Sequence, residues 1–440
     1  MMGRQEVQEA LFYRFRIEDH VPADHLLRRI DWLLDFSAIR LELEALYSHT
    51  GRPSVDPELM IRMLLIGYLY GIRSERRLVD EVHLNLAYRW FCHLGLEGRV
   101  PDRSTFSKNR HGRFADGDVL RRVFEMVVDR CAAFGLVGGQ AAAVDGSTIA
   151  ADASRERKDQ PEVMQKIWAA KEEIARPVRD YLDQLGAEAR EVHEGPQHKP
   201  PKYLSETDPQ AAWSNKDGRF SYETNYLIDT DHGIIMDVEA TPARLSQEIV
   251  AAKRMLARTA ERHAFHPDAL AADKSYGTGP FLAWLLKREI AQHVPVLDRQ
   301  QQTDGKYDLS HFAYDPERDS FTCLEGHEMR LRKVDPATRI KRYSADTSTC
   351  GSCPIRKACT TAPARHMDED ARQIARDLSH TEKFNDSRRK RKKVEMLFAH
   401  LKRNLGFTRL RLRGLRGAED EFLLAATAQN LKRLTKLVPA

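Results

Sequence analysis

Near the C-terminus, the run Ser387 to Lys393 is followed by Val394, Glu395 and Met396 to Arg403, so a single carboxylate stands inside a strongly basic helical segment. At about 100° per residue, Val394, Phe398, Leu401 and Leu405 fall on one apolar stripe, with Arg391, Glu395 and Lys402 along its edge. A carboxylate flanked by cations beside a core can hold a metal ion and steer an anionic polymer toward it. The plainer alternative is a surface helix with an Arg391 to Glu395 pair at i,i+4 spacing, worth about 0.2–0.5 kcal/mol.

Two further acids stand in a common setting. Gly139 to Ile149 reads as a short buried strand, because small and branched apolar residues run unbroken to Asp145, where the strand is expected to end in a turn. Asp268 to Gly277 repeats the design, with Asp273 after Ala271-Ala272. Acids at the C-terminal ends of strands lie where open α/β sheets place their ligand sites. Between them, Phe220 to Ala240 reads as a β-hairpin turning at Asp231-His232-Gly233. Helical spacing follows over Pro280 to Glu289, and Ala291 to Leu297 has the pattern of another strand.

This order of elements resembles the DDE transposases of bacterial insertion sequences. The resemblance implies an α/β, RNase H-like catalytic domain, a mixed sheet flanked by helices, with three acids on the first strand, the fourth strand and a late helix. Carried over by position, these are Asp145, Asp273 and Glu395. The late helix of many such enzymes carries Tyr, two residues, Arg, three residues, Glu, six residues, Lys; Arg391, Glu395 and Lys402 keep that spacing, while Arg388 stands at the Tyr position.

Three carboxylates also suit the chemistry by themselves. In-line displacement at a phosphodiester needs the attacking and leaving oxygens both stabilised, which divalent ions do. Mg²⁺, or Mn²⁺, takes a few carboxylates and leaves positions for water and phosphate oxygens. Asp145 is then the residue expected to bridge two ions, with Asp273 and Glu395 on either side. The plainer reading of each aspartate alone is an acid capping a turn.

The 440 residues hold 70 Lys and Arg against 65 Asp and Glu, a net +5 that is too small to name a partner. The distribution is more telling. Arg388 to Lys393 is unbroken, and Lys402, Arg403, Arg409, Arg411 and Arg413 follow, with Glu395 the only acid between Arg388 and Arg416. Such a block binds phosphate by counterion release or forms a solvated face; beside a metal site, contact of Arg388, Arg391, Lys402, Arg403, Arg409, Arg411 and Arg413 with double-stranded DNA is the expectation. Thr408 to Gly414 alternates as a strand or extended loop, and Glu419 to Leu437 returns to helical spacing. The most apolar stretch, Leu59 to Ile72, is too short to cross a bilayer and contains Arg62, so no membrane partner and a cytoplasmic, nucleoid-associated location are expected.

Residues 1–135 read as a helical domain, with apolar recurrence over Ser37 to Tyr47, Asp56 to Tyr70, Ser74 to Leu86 and Gly117 to Phe134. Another helix is expected to open at Ser104 and present Lys108, Asn109 and Arg110 to a major groove. Trp90 and Phe91 read as core. In the resembling transposases this region binds the element's ends; the alternative is a bundle that serves packing or dimerisation. Residues 136–440 form the expected catalytic domain, interrupted at 155–218 by a helical and proline-rich insertion and at 298–366 by a cysteine-rich one. Of six cysteines, Cys92 and Cys131 read as core thiols. Cys323, Cys350, Cys353 and Cys359 could ligate a structural Zn²⁺, with His327 and His366 as substitutes, or remain reduced thiols.

The expected function is thus a transposase that binds terminal inverted repeats and carries out Mg²⁺-dependent strand cleavage and transfer, as a homodimer at least when it synapses two ends. The alternatives are a catalytically inactive or repurposed DNA-binding protein derived from a transposase, which uses only the basic segment and helical N-terminus, and a general nuclease without preference for repeats.

Overall fold

A computed structural model describes residues 15–47, 54–188, 201–215, 217–243, 247–297, 306–307, 309–335, 340–360 and 363–438. The chain divides into two compact units. The first comprises Met1–Leu136, Ala399–Arg411 and Glu419–Ala440; the second comprises Val137–Phe398 and Leu412–Ala418.

The first unit is helical. Its central helix, Pro57–Leu69, opens with Asp56 accepting from the Glu58 N–H and is buried on all sides from Met60 to Leu69. Arg62 is tolerated there because its guanidinium reaches Asp31 at 2.5 Å and Glu58 at 2.8 Å; a buried cation without such partners would cost several kcal/mol or more. Ser74 caps the next helix, Glu75–Leu84. Phe91 is buried, whereas Trp90 lies at the boundary, its ring N–H donating to Glu18 and Arg28 stacked 4.6 Å above it. The stretch expected to be extended, Thr408 to Arg413, is an irregular loop. Its first part is pinned within this unit by buried Phe407 and Leu410 and by the Arg411 N–H donating to Glu421 at 2.6 Å. Glu421 is in turn buried against Arg73.

The second unit is built on a mixed sheet. Its strands, in chain order, are β1 (Ala141–Ala150), β4 (Ala212–Ser214), β5 (Arg219–Asp229), β6 (Ile235–Pro242), β7 (Ala269–Ala271) and β8 (Ala291–His293), while β2 (Lys158–Asp159) and β3 (Leu204–Ser205) form a separate pair. The order is β4-β5-β1-β7-β8, with β6 also on β5. β1 is central, parallel to β7 and antiparallel to β5. The hairpin turns where expected, the Gly233 N–H donating to the Asp229 carbonyl with φ +66° at Gly233.

β1 does not end at Asp145. It runs on to Ala150 because β5 keeps pairing with it through Ala150↔Ser221, while its parallel partner β7 stops at Ala271. Asp145 and Asp273 each lie two residues beyond the last parallel pair, Ala143↔Ala271, so the two acids meet where β7 leaves the sheet. The helical pattern of Glu162 to Leu185 is two helices, Pro161–Ala169 and Arg176–Glu188; Pro177 has no N–H for a continuing turn and opens the second one instead. The exposed linker expected from Glu191 falls largely on residues 189–200, outside the described residues. The C-terminal helix starts at Gly414, five residues earlier than its spacing suggests.

The cysteine-bearing insertion carries its own antiparallel sheet, β13-β12-β11-β10-β9, from β9 (Ala313–Asp315), β10 (Ser320–Thr322), β11 (Glu328–Asp335) and β12 (Ile340–Ser344) to β13 (Ala364–His366). Phe312, Phe321, Met329 and Tyr343 form its core, and Cys323 and Cys359 pack against them.

Candidate active site

Asp145 is four-fifths buried in β1. One carboxylate oxygen accepts from the Gly146 N–H at 2.9 Å, and the other accepts from Arg391 Nη1 at 3.0 Å. Arg391 Nη2 donates to Glu395 at 2.8 Å, one turn further along the helix Glu382–Arg403. One guanidinium therefore bridges acids 250 residues apart in sequence. The helix is anchored beside β1 by Val394, which is fully buried, and by Phe398, whose ring lies 4.7 Å from that of Tyr226 on β5. Lys390 Nζ reaches Asp231 at 2.9 Å, and Lys393 Nζ donates to the carbonyls of Thr230 and Asp231 at 2.6 and 2.8 Å. These bonds tie the helix to the hairpin turn.

Asp273 caps the short 3₁₀ turn Lys274–Tyr276, accepting from the Ser275 N–H at 2.8 Å and the Ser275 hydroxyl at 2.6 Å. Burial pushes the Asp145 carboxyl up to about 6; the Gly146 N–H and Arg391 oppose this, and the charges of Asp273 and Glu395 add to it. Burial outweighs the opposing charge of Arg391, and the neighbouring acids add a smaller push in the same direction.

Two acids absent from the sequence reading join the group. Glu223 on β5 is pushed up to about 7 by burial and then by Glu248, Asp145 and Asp273. Glu248, in the first turn of the helix Gln247–His263, is raised by burial and by Asp273, with a hydrogen bond from Ser275 opposing. The available signal was Glu223 itself, an acid within the aromatic strand pattern Phe220 to Tyr226.

The donors are all hard carboxylate oxygens, which suits Mg²⁺ or Mn²⁺, and Arg391 supplies a positive charge between two of them. Among the described residues, no three acidic, His or Cys side chains converge closely enough to hold an ion as they stand. The residues fit a divalent cation in kind, with Arg391 holding the Asp145 to Glu395 interval.

The basic run is divided by direction. Arg391 was expected on DNA and instead faces inward to Asp145, because it lies at the edge of the apolar stripe that packs on the sheet. Arg413 pairs with Asp152 at 3.0 Å. Arg388 is exposed, and so are Arg403, Arg409 and Arg411 of the first unit, where Lys402 is half-buried. In the N-terminal unit, the helix Arg103–His111 is capped by Asp102 rather than Ser104. Lys108 is exposed, but Asn109 and Arg110 are buried, Asn109 donating to the Thr105 carbonyl at 2.9 Å and Arg110 pairing with Glu75. The triplet therefore does not form one exposed face: in a helix, consecutive residues are 100° apart.

Cys323, Cys350, Cys353 and Cys359 are free, partly exposed thiols. Burial raises the Cys359 thiol, and the charges of Cys323, Cys353 and Cys350 act in the same direction, so the four lie within electrostatic reach of one another. The side chain of His366 is outside the described residues.

Two family models match the chain, a transposase domain (DUF772) over residues 15–112 and a transposase DDE domain over residues 322–435. The second includes Glu395 and the four cysteines of the insertion; Asp145 and Asp273 precede it. Over those two stretches the chain is similar to transposases, and over the second to a transposase DDE domain. None of the curated proteins matches it. A solved structure, a cryo-EM structure of a piggyBac transposase synaptic complex with hairpin DNA, aligns with 94% of this chain and 73% of its own at 10% identity, with a TM-score of 0.33; so slight a likeness bears on neither fold nor function. No described helix is long and apolar enough to cross a membrane.

Proposed function

We propose that this chain is a transposase that binds the terminal inverted repeats of an insertion sequence and catalyses Mg²⁺-dependent strand cleavage and strand transfer, with Asp145, Asp273 and Glu395 as its catalytic acids. The observation that carries the reading is the guanidinium of Arg391 bonded to Asp145 and Glu395 at once, with Asp273 acting on the same Asp145 carboxyl. The strand order β5-β1-β7-β8, with β1 and β7 parallel and β5 antiparallel, supports an RNase H-like catalytic domain.

Asp145, Asp273 and Glu395 would hold the divalent ions, which when bound stabilise charge on the phosphoryl oxygens and supply a hydroxide or 3′ alkoxide nucleophile near neutral pH. Arg391 keeps Asp145 and Glu395 together and offsets their repulsion. Exposed Arg388, Arg403, Arg409 and Arg411, with Lys402 and, in the N-terminal helical unit, Lys108, are the residues assigned to the DNA backbone. Contacts of this kind position without reading sequence. Cys323, Cys350, Cys353 and Cys359 are the residues that would hold a structural Zn²⁺ in the insertion. Two chains act together when two ends are joined, and the protein works on the chromosome in the cytoplasm.

The test is cleavage of a duplex carrying the repeats that flank the coding sequence. With Mg²⁺, the wild-type chain is expected to nick at the repeat boundary, while Asp145→Asn and Glu395→Gln lose at least 100-fold in rate, the scale of losing a principal electrostatic group. Asp145→Asn cleaving at the wild-type rate overturns the assignment. Cleavage of unrelated duplexes at the same rate would point to a general nuclease.

A further inference from the structure

The helix Glu382–Arg403 crosses the sheet of the second unit, and three strands each hold a different part of it. On β1, Asp145 takes Arg391; on β5, Tyr226, the cross-strand partner of Asp145, packs against Phe398. On β8, His293 Nδ1 lies 2.6 Å from the Ser387 hydroxyl, and Phe384 packs edge-on to the imidazole with ring centres 5.8 Å apart. Both members of that polar pair are buried, His293 at 7% and Ser387 at 6% exposure.

The register of the sheet puts His293 in line with the acids. Ala143, Ala271 and His293 are direct partners across the parallel strands β1, β7 and β8, so their side chains share a face, and Asp145, two residues past Ala143, shares it too. Along the helix, Ser387, Arg391 and Glu395 follow one another at intervals of four residues and lie along one side. Sheet and helix are therefore joined by two successive bonds one turn apart, His293 to Ser387 and Asp145 to Arg391. The guanidinium of the second bond goes on to Glu395.

Folding alone does not require the first bond. Replacing both partners of a buried hydrogen bond by apolar groups of the same shape is nearly neutral, and buried Phe384, Val394 and Phe398 already seat the helix. Apolar contact lacks direction, however. A helix that slips by one residue moves about 1.5 Å along its axis and turns by about 100°, which carries Arg391 away from Asp145. A hydrogen bond to a ring held in β8 opposes both movements.

We propose that His293 is a positioning residue: through Ser387 it fixes the rotation and axial place of the late helix, and so holds Arg391 between Asp145 and Glu395. The catalytic consequence rests on the proposed function; the positioning of Arg391 does not.

Two measurements on the full-length chain keep these apart. The first is urea unfolding at pH 8 without divalent ions or DNA, in a cycle of Ser387→Ala and Arg391→Gln. Loss of the hydroxyl is expected to weaken the Arg391 bridge, so the double variant should lose at least about 5-fold less in folding constant than the product of the two single losses. A bond that serves only the core gives the product itself. The second is Mg²⁺-dependent cleavage of the repeat-bearing duplex. Ser387→Ala and His293→Leu are expected to lower kcat by about 10- to 100-fold with KM for DNA unchanged, and His293→Asn, whose amide stands where Nδ1 does, to recover most of that loss. Multiplicative losses in the cycle overturn the proposal, as does wild-type kcat in Ser387→Ala when Asp145→Asn is inactive. A non-multiplicative cycle in a chain whose Asp145→Asn variant cleaves like the wild type upholds the positioning and refutes the catalytic assignment instead.

Discussion

Removing Arg391 tests whether the bridge is an energetic unit or a coincidence of two rotamers. The Arg391 to Asp145 contact is 3.0 Å with both side chains about one-fifth exposed, and the Arg391 to Glu395 contact is 2.8 Å with Glu395 half exposed. At an effective dielectric of about 20, two unit charges about 3 Å apart attract by about 5 kcal/mol before desolvation. Desolvation and side-chain entropy take back most of that, leaving about 1–3 kcal/mol for the Asp145 arm. The Glu395 arm is an i,i+4 helix pair worth about 0.3–0.5 kcal/mol. Arg391→Gln is thus expected to destabilise the metal-free protein by about 2 kcal/mol. In the Asp145→Asn background the same substitution should cost little, because the carboxylate it would strand is gone. The cycle is measured by urea unfolding at pH 8 without divalent ions, followed by fluorescence of Trp168, Trp213 and Trp284 in the second unit. Costs that add to within about 0.5 kcal/mol would refute the bridge.

Burial raises Asp208 from 3.8 to about 6, although the Tyr222 hydroxyl at 2.6 Å and the Gly414 N–H at 3.2 Å favour its charged form. The folded protein therefore takes up this proton more readily than the unfolded chain, and the associated stability is present below about pH 4 and lost as pH rises through about 6. Its ceiling is about 3 kcal/mol, and Asp208→Asn should flatten that part of the pH profile; a wild-type slope in the variant contradicts the assignment. Gly277→Ala places a Cβ 2.0 Å from the Pro295 carbonyl oxygen and 2.6 Å from the Leu297 nitrogen. Backbone cannot yield as a side-chain end can, so a loss of about 3 kcal/mol or more in unfolding free energy is expected, and an unchanged midpoint refutes the packing. If Cys323, Cys350, Cys353 and Cys359 hold Zn²⁺, purified protein should contain about one zinc per chain by elemental analysis, and Cys353→Ser should lower that and expose residues 313–366 to protease; zinc-free protein with a protease-resistant insertion rejects the site.

What the sequence disclosed and what it hid have distinct physical causes. Strand β1, the hairpin and the late helix were legible because each has a period and a boundary: unbroken small apolar residues before Asp145, alternation around Asp231-His232-Gly233, and a stripe from Val394 to Leu405. The length of β1 was hidden, because its continuation past Asp145 depends on a partner strand more than 70 residues later that keeps pairing after β7 has left. The basic run shows a second limit. Composition counts Lys390, Arg391 and Lys393 as free charge, but a run longer than one helical turn must send some members inward, and these three are bonded to Asp231, Asp145 and the hairpin carbonyls. Arg110 is diverted in the same way by Glu75. Glu223 shows the reverse. An acid inside an aromatic strand reads as a solvent-facing position, and only the pairing Thr148↔Glu223 brings it over the glycine next to Asp145. Charge that a sequence displays is therefore a poor guide to charge available for DNA.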